Sequence, residues 1–144
     1  MDIEFTDNSS EEDIEVICNG LNDYNKKEFK GAEERKLAFY LKDKSRSIIG
    51  GLTAKTAFSI IYVKYFWVSE AVRGKGYGTE LLNELEQYAT QHGVERILLD
   101  TYSFQAPLFY EKSGFIEVSR LHDYPKKGVD KIFYSKNISY THRL

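Results

Sequence analysis

The chain has 144 residues, 42% of them hydrophobic and 15% aromatic, which suits one packed domain and is too apolar for a disordered chain. Its net charge of −2 excludes the strong basic field that nucleic acid or an anionic membrane surface would require. The lone cysteine, Cys18, excludes a disulfide framework, and no CxxC or Cys/His cluster points to zinc or another metal.

In chain order, MDIEFTDNSSEED is acidic and lacks a signal-peptide core, and DIEFT at 2–6 reads as a short opening strand. Residues 8–28 read as a helix, with Ile14, Ile17, Cys18 and Leu21 on one face. Ser9 or Ser10 is placed to cap it, and Glu11, Glu12 and Asp13 fill a first turn that favours negative charge. Cys18 is expected to pack in the core, as free cysteine commonly does; a nucleophilic role would need a paired base, and none is near in sequence. A polar bend follows. RKLAFYLKD (35–43), SIIGGLTAK (47–55) and FSIIYVKYFWVS (58–69) then read as an antiparallel meander, in which Gly50-Gly51 signals a bulge or a close backbone approach. The run at 58–68 is interrupted by Lys64 and falls well short of the roughly 20 apolar residues of a membrane helix. The expectation is a soluble, cytoplasmic protein.

A second helix runs to about His92, with Leu81, Leu82, Leu85, Tyr88 and Ala89 as its apolar face, His92 as a cation at its C-terminal end and Gly93 as its stop. ERILLDTY (95–102) reads as a central parallel strand buried on both faces. A short helix at about 105–113 must start near Phe104–Ala106, because Pro107 is tolerated only in a first turn. FIEVSRLHDY (115–124) and DKIFYSKN (130–137) close as a hairpin around PKKGV, and residues 137–144, with His142, read as a frayed tail. The order β-α-β-β-β-α-β-α-β-β describes one mixed α/β domain over residues 1–144.

The stretch WVSEAVRGKGYGTELLNEL at 67–85 concentrates Gly74, Gly76 and Gly78 between a strand and a helix, although glycine weakens both. The first N–H groups of a helix lack internal partners and carry partial positive charge, so bare backbone here makes an anion site. Arg73 and Lys75 add charge. The G-x-G-x-G spacing matches neither the dinucleotide fingerprint nor the nucleoside-triphosphate loop. A phosphate-bearing ligand is the functional reading; a flexible turn with basic neighbours is the plain one.

Residues 73–78, Arg-Gly-Lys-Gly-Tyr-Gly, resemble the [Arg/Gln]-x-x-Gly-x-[Gly/Ala] pyrophosphate motif of the GNAT acetyltransferases. The preceding YFWVSEAV looks like that family's fourth strand, and QAPLFYEKSGF (105–115) is similar to its Ala-x-x-x-Tyr-x-x-x-Gly-Phe signature. The likeness covers roughly residues 1–138 and implies a mixed, mostly antiparallel sheet flanked by helices.

The resemblance further implies an acetyl-coenzyme A-dependent N-acetyltransferase without a metal. Backbone N–H groups of Gly74, Lys75, Gly76, Tyr77, Gly78 and Thr79 would hold the pyrophosphate, with Arg73 beside them and a hydroxyl from Thr79. The main chain of Phe66, Trp67 and Val68 would pair with the pantetheine arm, which would enter where the strands at 58–69 and 95–102 splay apart. An N–H near Val68 would polarise the thioester carbonyl. Ser103 stands where the family often has Asn, and Ala106 and Phe109 would border the coenzyme on that side. Tyr110 matches the family's general acid, acting on the departing sulfur. Transfer would run by direct attack of a primary amine through a tetrahedral intermediate.

The base stays open among Glu70, Asp100, His122, Asp123 and ordered water. Trp67, Tyr62 and Tyr65 are candidates to wall an acceptor pocket, half of the set being expected to face the core, and Tyr24 and Asn25 lie in the family's variable acceptor segment. The expected partner is a small-molecule amine, with no nucleic acid and no membrane, and the protein is expected as a monomer or homodimer. Two other readings remain: a non-catalytic acyl-coenzyme A-binding or sensing module, and a nucleotide-binding domain using the same glycine turn.

Overall fold

The structure, a computed structural model, describes residues 1–138. The chain divides into two compact units, Met1–Ala32 and Glu33–Leu144.

The first unit holds helix α1, Glu11–Asn25. Ser10, not Ser9, is its cap: it is extended, and its Oγ accepts from the Asp13 N–H at 3.2 Å. A single helix has nothing of its own unit to cover an apolar stripe. Accordingly α1 buries none of its residues, and Ile14, Ile17 and Leu21 are exposed. Cys18 is exposed as well, contrary to the expected core position, and its Sγ takes a weak contact from Asn22 Nδ2 at 3.7 Å. Residues 2–6 form no strand. A strand needs a partner for its N–H and C=O groups, and this unit offers none. From α1 onward the element order is the expected one.

The second unit contains β1 (Arg35–Lys42), β2 (Ile48–Ala57), β3 (Ile60–Val68), a 3-10 turn at Glu70–Val72, α2 (Tyr77–Gln91), β4 (Arg96–Tyr102), α3 (Pro107–Lys112), β5 (Ile116–Leu121) and β6 (Lys131–Asn137). The strands form one six-stranded sheet in the order β1-β2-β3-β4-β6-β5. Only β3 and β4 pair in parallel, so the sheet is mostly antiparallel and the mixed α/β class holds. The closing hairpin is inserted with β6 against β4, which leaves β5 at the edge.

The core lies between one face of this sheet and α2. Leu52 and Ala54 of β2, Ile61 and Val63 of β3, and Ile97 and Leu99 of β4 meet Leu81, Leu82, Leu85 and Ala89 of α2. Burial on β4 alternates: Ile97 and Leu99 are buried while Leu98 is half-buried, so the strand is not sealed on both faces as expected. Gly51 is required by a close approach, since a Cβ there would lie 2.4 Å from the Phe39 carbonyl oxygen. Pro107 is the first residue of α3, with Ala106 as cap. His92 caps the end of α2, stacked on Tyr88, with Nδ1 2.9 Å from the Tyr88 carbonyl oxygen.

Order persists past the expected tail boundary: Asn137 closes β6, and buried Ile138 donates its N–H to Glu95 O at 2.9 Å. Residues 139–144, His142 among them, lie outside the described residues. Among the described residues no helix is long and apolar enough to cross a membrane, and no cluster of His, Cys, Asp and Glu is placed to hold a metal ion.

Leu85 is fully buried on α2. Leu85→Ala is expected to lower unfolding free energy by about 2–5 kcal/mol, whereas Leu108→Ala, at an exposed position of α3, should change it by no more than about 0.5 kcal/mol. Denaturant midpoints of the two variants check the contrast.

Candidate active site

β3 and β4 pair over only three positions, Ile60↔Arg96, Ile61↔Ile97 and Tyr62↔Leu98. Beyond them the strands part, as the splay expected between 58–69 and 95–102 requires. On its other side β3 stays paired with β2, but the register jumps: Thr53 faces Tyr65 and Ala54 faces Val63, leaving Lys64 as an extra residue. Such a bulge bends and twists its strand, here at the point where β4 is lost.

The bulge also resets the alternation. Ile61 and Val63 face the core before it, and Phe66 and Val68 pack against the core after it. Tyr62, Tyr65 and Trp67 are therefore all exposed, at 40%, 66% and 54%. The expected division of this aromatic set between pocket and core does not occur, because the extra residue moves Tyr65 and Trp67 onto the face of Tyr62.

After β3 the chain turns through Glu70–Val72 into α2. Arg73 Nε donates to the Val68 carbonyl at 2.8 Å, tying the turn to the strand end, and its other N–H groups have no hydrogen bond among the described residues. The three glycines then serve two needs. Gly74 and Gly76 have φ of +76° and +87°, a region costly for side-chain-bearing residues. Gly78 lies within α2, where a Cβ would come 3.1 Å from the Phe109 ring. Among the described residues, none of the N–H groups from Gly74 to Thr79 donates to the protein; the first bond of α2 is Glu80 N–H to Gly76 O at 3.0 Å. Gly74, Lys75, Gly76 and Thr79 are exposed, and Tyr77 and Gly78 are half-buried. Six consecutive N–H groups, three leading up to the positive end of a 15-residue helix and three in its first turn, thus have no acceptor among the described residues.

α3 supplies the opposite wall. Phe109 bridges it to β3, with ring centres 5.9 Å from Phe66 and 5.2 Å from Tyr110. Ala106 is exposed at the cap of α3. Ser103 is already engaged: its N–H donates to Asp130 O at 2.8 Å and its Oγ accepts the Asp130 N–H at 2.9 Å, leaving its own O–H as a spare donor. Gln105, passed over in the sequence, holds this turn. Its Oε1 accepts from Thr101 Oγ1 at 2.9 Å and from the Tyr102 N–H at 2.8 Å; an amide side chain three residues past a strand end was the available signal.

Tyr110 is buried, at 8% exposed, inside a ring of Phe66, Phe109, Phe115 and Tyr134. Its hydroxyl makes no hydrogen bond within the described residues. Burial, reinforced by the negative charge of Asp100, pushes the phenol up to about 12. Asp100 accepts a hydrogen bond from the Tyr62 hydroxyl at Oδ2, and Lys131 Nζ lies 3.7 Å from Oδ1. The hydrogen bond to Asp100, with burial second, raises Tyr62 to about 12 also.

The other candidate bases are placed differently. Glu70 is exposed in the 3-10 turn. His122 is 76% exposed, with Nδ1 3.3 Å from Asp130 Oδ2, and Asp123 Oδ1 accepts the Gly128 N–H at 2.8 Å, bracing the hairpin loop. Tyr24 and Asn25 end α1 in the first unit.

The profile of the Acetyltransferase (GNAT) family matches residues 4–115. The chain belongs to this family. An acetyltransferase of Agrobacterium fabrum, Atu2258, is 31% identical over 121 residues, 84% of this chain and 88% of that protein. The crystal structure of an acetyltransferase from Bacillus cereus is 35% identical, with a TM-score of 0.81 over 93% of this chain and 97% of that one. Blasticidin-S acetyltransferase of Streptomyces morookaense is 32% identical over 79 residues, 54% of this chain and 58% of its own length. The fold is shared with an aminoglycoside 6'-N-acetyltransferase complexed with coenzyme A, at 18% identity and a TM-score of 0.65 over 92% and 96% of the two chains.

Tyr110 keeps its proton to about pH 12 when folded, against an ordinary value of 10. Its stabilising contribution is therefore full below pH 10 and lost as pH climbs from 10 to 12, a fall of about 2–3 kcal/mol. Tyr110→Phe should lessen the alkaline loss by about that amount while the part due to Tyr62 remains, measured as urea stability at pH 9 and pH 11.5. A wild-type slope in the variant would contradict it.

Proposed function

We propose that this GNAT family member transfers an acetyl group from acetyl-coenzyme A to a primary amine of a small molecule, by direct attack of the amine on the thioester. The observation that carries the reading is the row of unpartnered N–H groups from Gly74 to Thr79, beside a β3 edge that has lost its neighbour. Unpartnered backbone donors at a helix N-terminus fit a diphosphate. The edge beyond Tyr62 fits an amide-bearing arm that pairs like a strand. The coenzyme A complex of the aminoglycoside enzyme supports the ligand, and the blasticidin-S relative supports a small acceptor.

The donors of Gly74, Lys75, Gly76, Tyr77, Gly78 and Thr79 hold the pyrophosphate, with charge from Arg73 and Lys75 and a hydroxyl from Thr79. Phe66, Trp67 and Val68 offer main-chain groups to the pantetheine arm; the Ser103 hydroxyl, Ala106 and Phe109 border it opposite. When bound, acetyl-coenzyme A supplies the acetyl group as a thioester. Tyr110 gives its O–H to the departing sulfur. With the phenol at about 12 and an ordinary thiol near ~8.5, complete proton transfer from phenol to sulfur runs uphill. Tyr110 therefore acts chiefly as a hydrogen-bond donor that never empties near neutral pH.

Acetyl-coenzyme A should raise the melting temperature in proportion to the logarithm of its concentration, and ATP and NAD should not. Thiol release should then appear with at least one member of a panel of spermidine, kanamycin, blasticidin S, amino-acid amides and an N-terminal peptide. Tyr110→Phe should lower kcat by about 100-fold with the KM for acetyl-coenzyme A unchanged. A larger thermal response to ATP than to acetyl-coenzyme A would overturn the ligand. Binding without thiol release from any amine would favour a sensing module instead.

A further inference from the structure

The acetyl-transfer reading above leaves open what meets the amine, and the inference that follows rests on that reading. An alkylamine titrates near ~10.4, so the acceptor arrives as an ammonium ion that must shed a proton before it attacks. We propose that Asp100 is the acceptor-side anchor: its carboxylate, oriented by Tyr62, takes the acceptor's ammonium as an ion pair and then accepts its proton.

The placement is specific. Leu98 is the last β4 residue paired with β3, and Asp100 lies two residues further, on the stretch that borders the gap. Tyr62 is the last β3 residue paired with β4. Its hydrogen bond to Asp100 Oδ2 therefore spans the point where the strands separate.

Asp100 also has capacity to spare. A carboxylate offers about four acceptor positions, yet Asp100, with its side chain 21% exposed, fills one by a hydrogen bond. Lys131 is held aside over the rings of Tyr102, Tyr124 and Phe133, at 5.9, 5.4 and 5.6 Å. At 3.7 Å from Oδ1 its ammonium pairs with the carboxylate without a hydrogen bond. The remaining candidates lack this position: Glu70 is exposed, His122 is paired with Asp130, and Asp123 braces its own loop.

In the step, one N–H bond of the ammonium breaks, its proton joins an Asp100 oxygen, and the electron pair stays on nitrogen. That pair forms the C–N bond. The C–S bond breaks with its pair going to sulfur, which meets the Tyr110 O–H. The surplus proton on nitrogen neutralises the sulfur, and Asp100 returns its proton to solvent, giving amide, thiol and one H⁺.

Asp100→Asn tests this, with n-butylamine as the minimal acceptor alongside the best amine of the panel. The KM for the amine should rise at least about 10-fold while the KM for acetyl-coenzyme A stays within about two-fold. Tyr62→Phe, which keeps the carboxylate but frees its orientation, should raise the amine KM by about three-fold. Retained thermal stabilisation by acetyl-coenzyme A shows that each variant is folded; should Asp100→Asn not fold, Tyr62→Phe decides. Unchanged amine KM values would overturn the role of Asp100 while leaving acetyl transfer standing. A wild-type protein that ignores acetyl-coenzyme A, or acetylates no amine, would overturn both.

Discussion

Three pairs of residues join β3 to β4, and the candidate site lies where that pairing stops. A continued parallel ladder would have closed both strand edges with each other's hydrogen bonds. Instead β3 keeps its partner β2 on one side and from Val63 onward has no partner in β4 on the other, with the bulge at Lys64 following directly. The hydrophobic face survives the bend because the extra residue shifts the alternation, so that Phe66 and Val68 continue what Ile61 and Val63 began. The inserted residue keeps the core continuous where the backbone edge is open.

The helix that follows is placed by the same break. The 3-10 turn and the Arg73 contact to Val68 fix the exit from β3, and Gly74 and Gly76 take left-handed conformations that bring α2 in with its first N–H groups unpaired. Burial of Leu81, Leu82, Leu85 and Ala89 holds the helix in place. Those donors are thus presented by a packed element rather than by a loose loop, which keeps the cost of ordering low when an anion binds. Across the cleft, Phe109 packs close against Gly78, so the glycine that looks superfluous in the anion turn eases the approach of α3.

Much of this was legible in the chain. The apolar face of α2, the stop at Gly93, the first-turn position of Pro107 and the two signatures around Gly76 and Tyr110 are local patterns, and local patterns survive in sequence. What was not legible depends on partners distant in the chain. The alternation through Tyr62, Lys64 and Phe66 gives no hint of a bulge, because a bulge is a mismatch with the facing strand. Asp100 looks like the end of a buried strand until Tyr62, 38 residues away, is seen to donate to it. The exposure of Cys18 and the missing strand at 2–6 have a related cause: periodicity marks a face that favours burial but does not supply the surface that buries it.

The central claim is that the unpaired main-chain donors of residues 74–79 receive the diphosphate of coenzyme A. Amide ¹H–¹⁵N mapping during a coenzyme A titration addresses it residue by residue. The account predicts that the Gly74–Thr79 amide protons move downfield further than any others, as each gains a charged acceptor. Saturable binding that leaves those amides in place while others shift would contradict it.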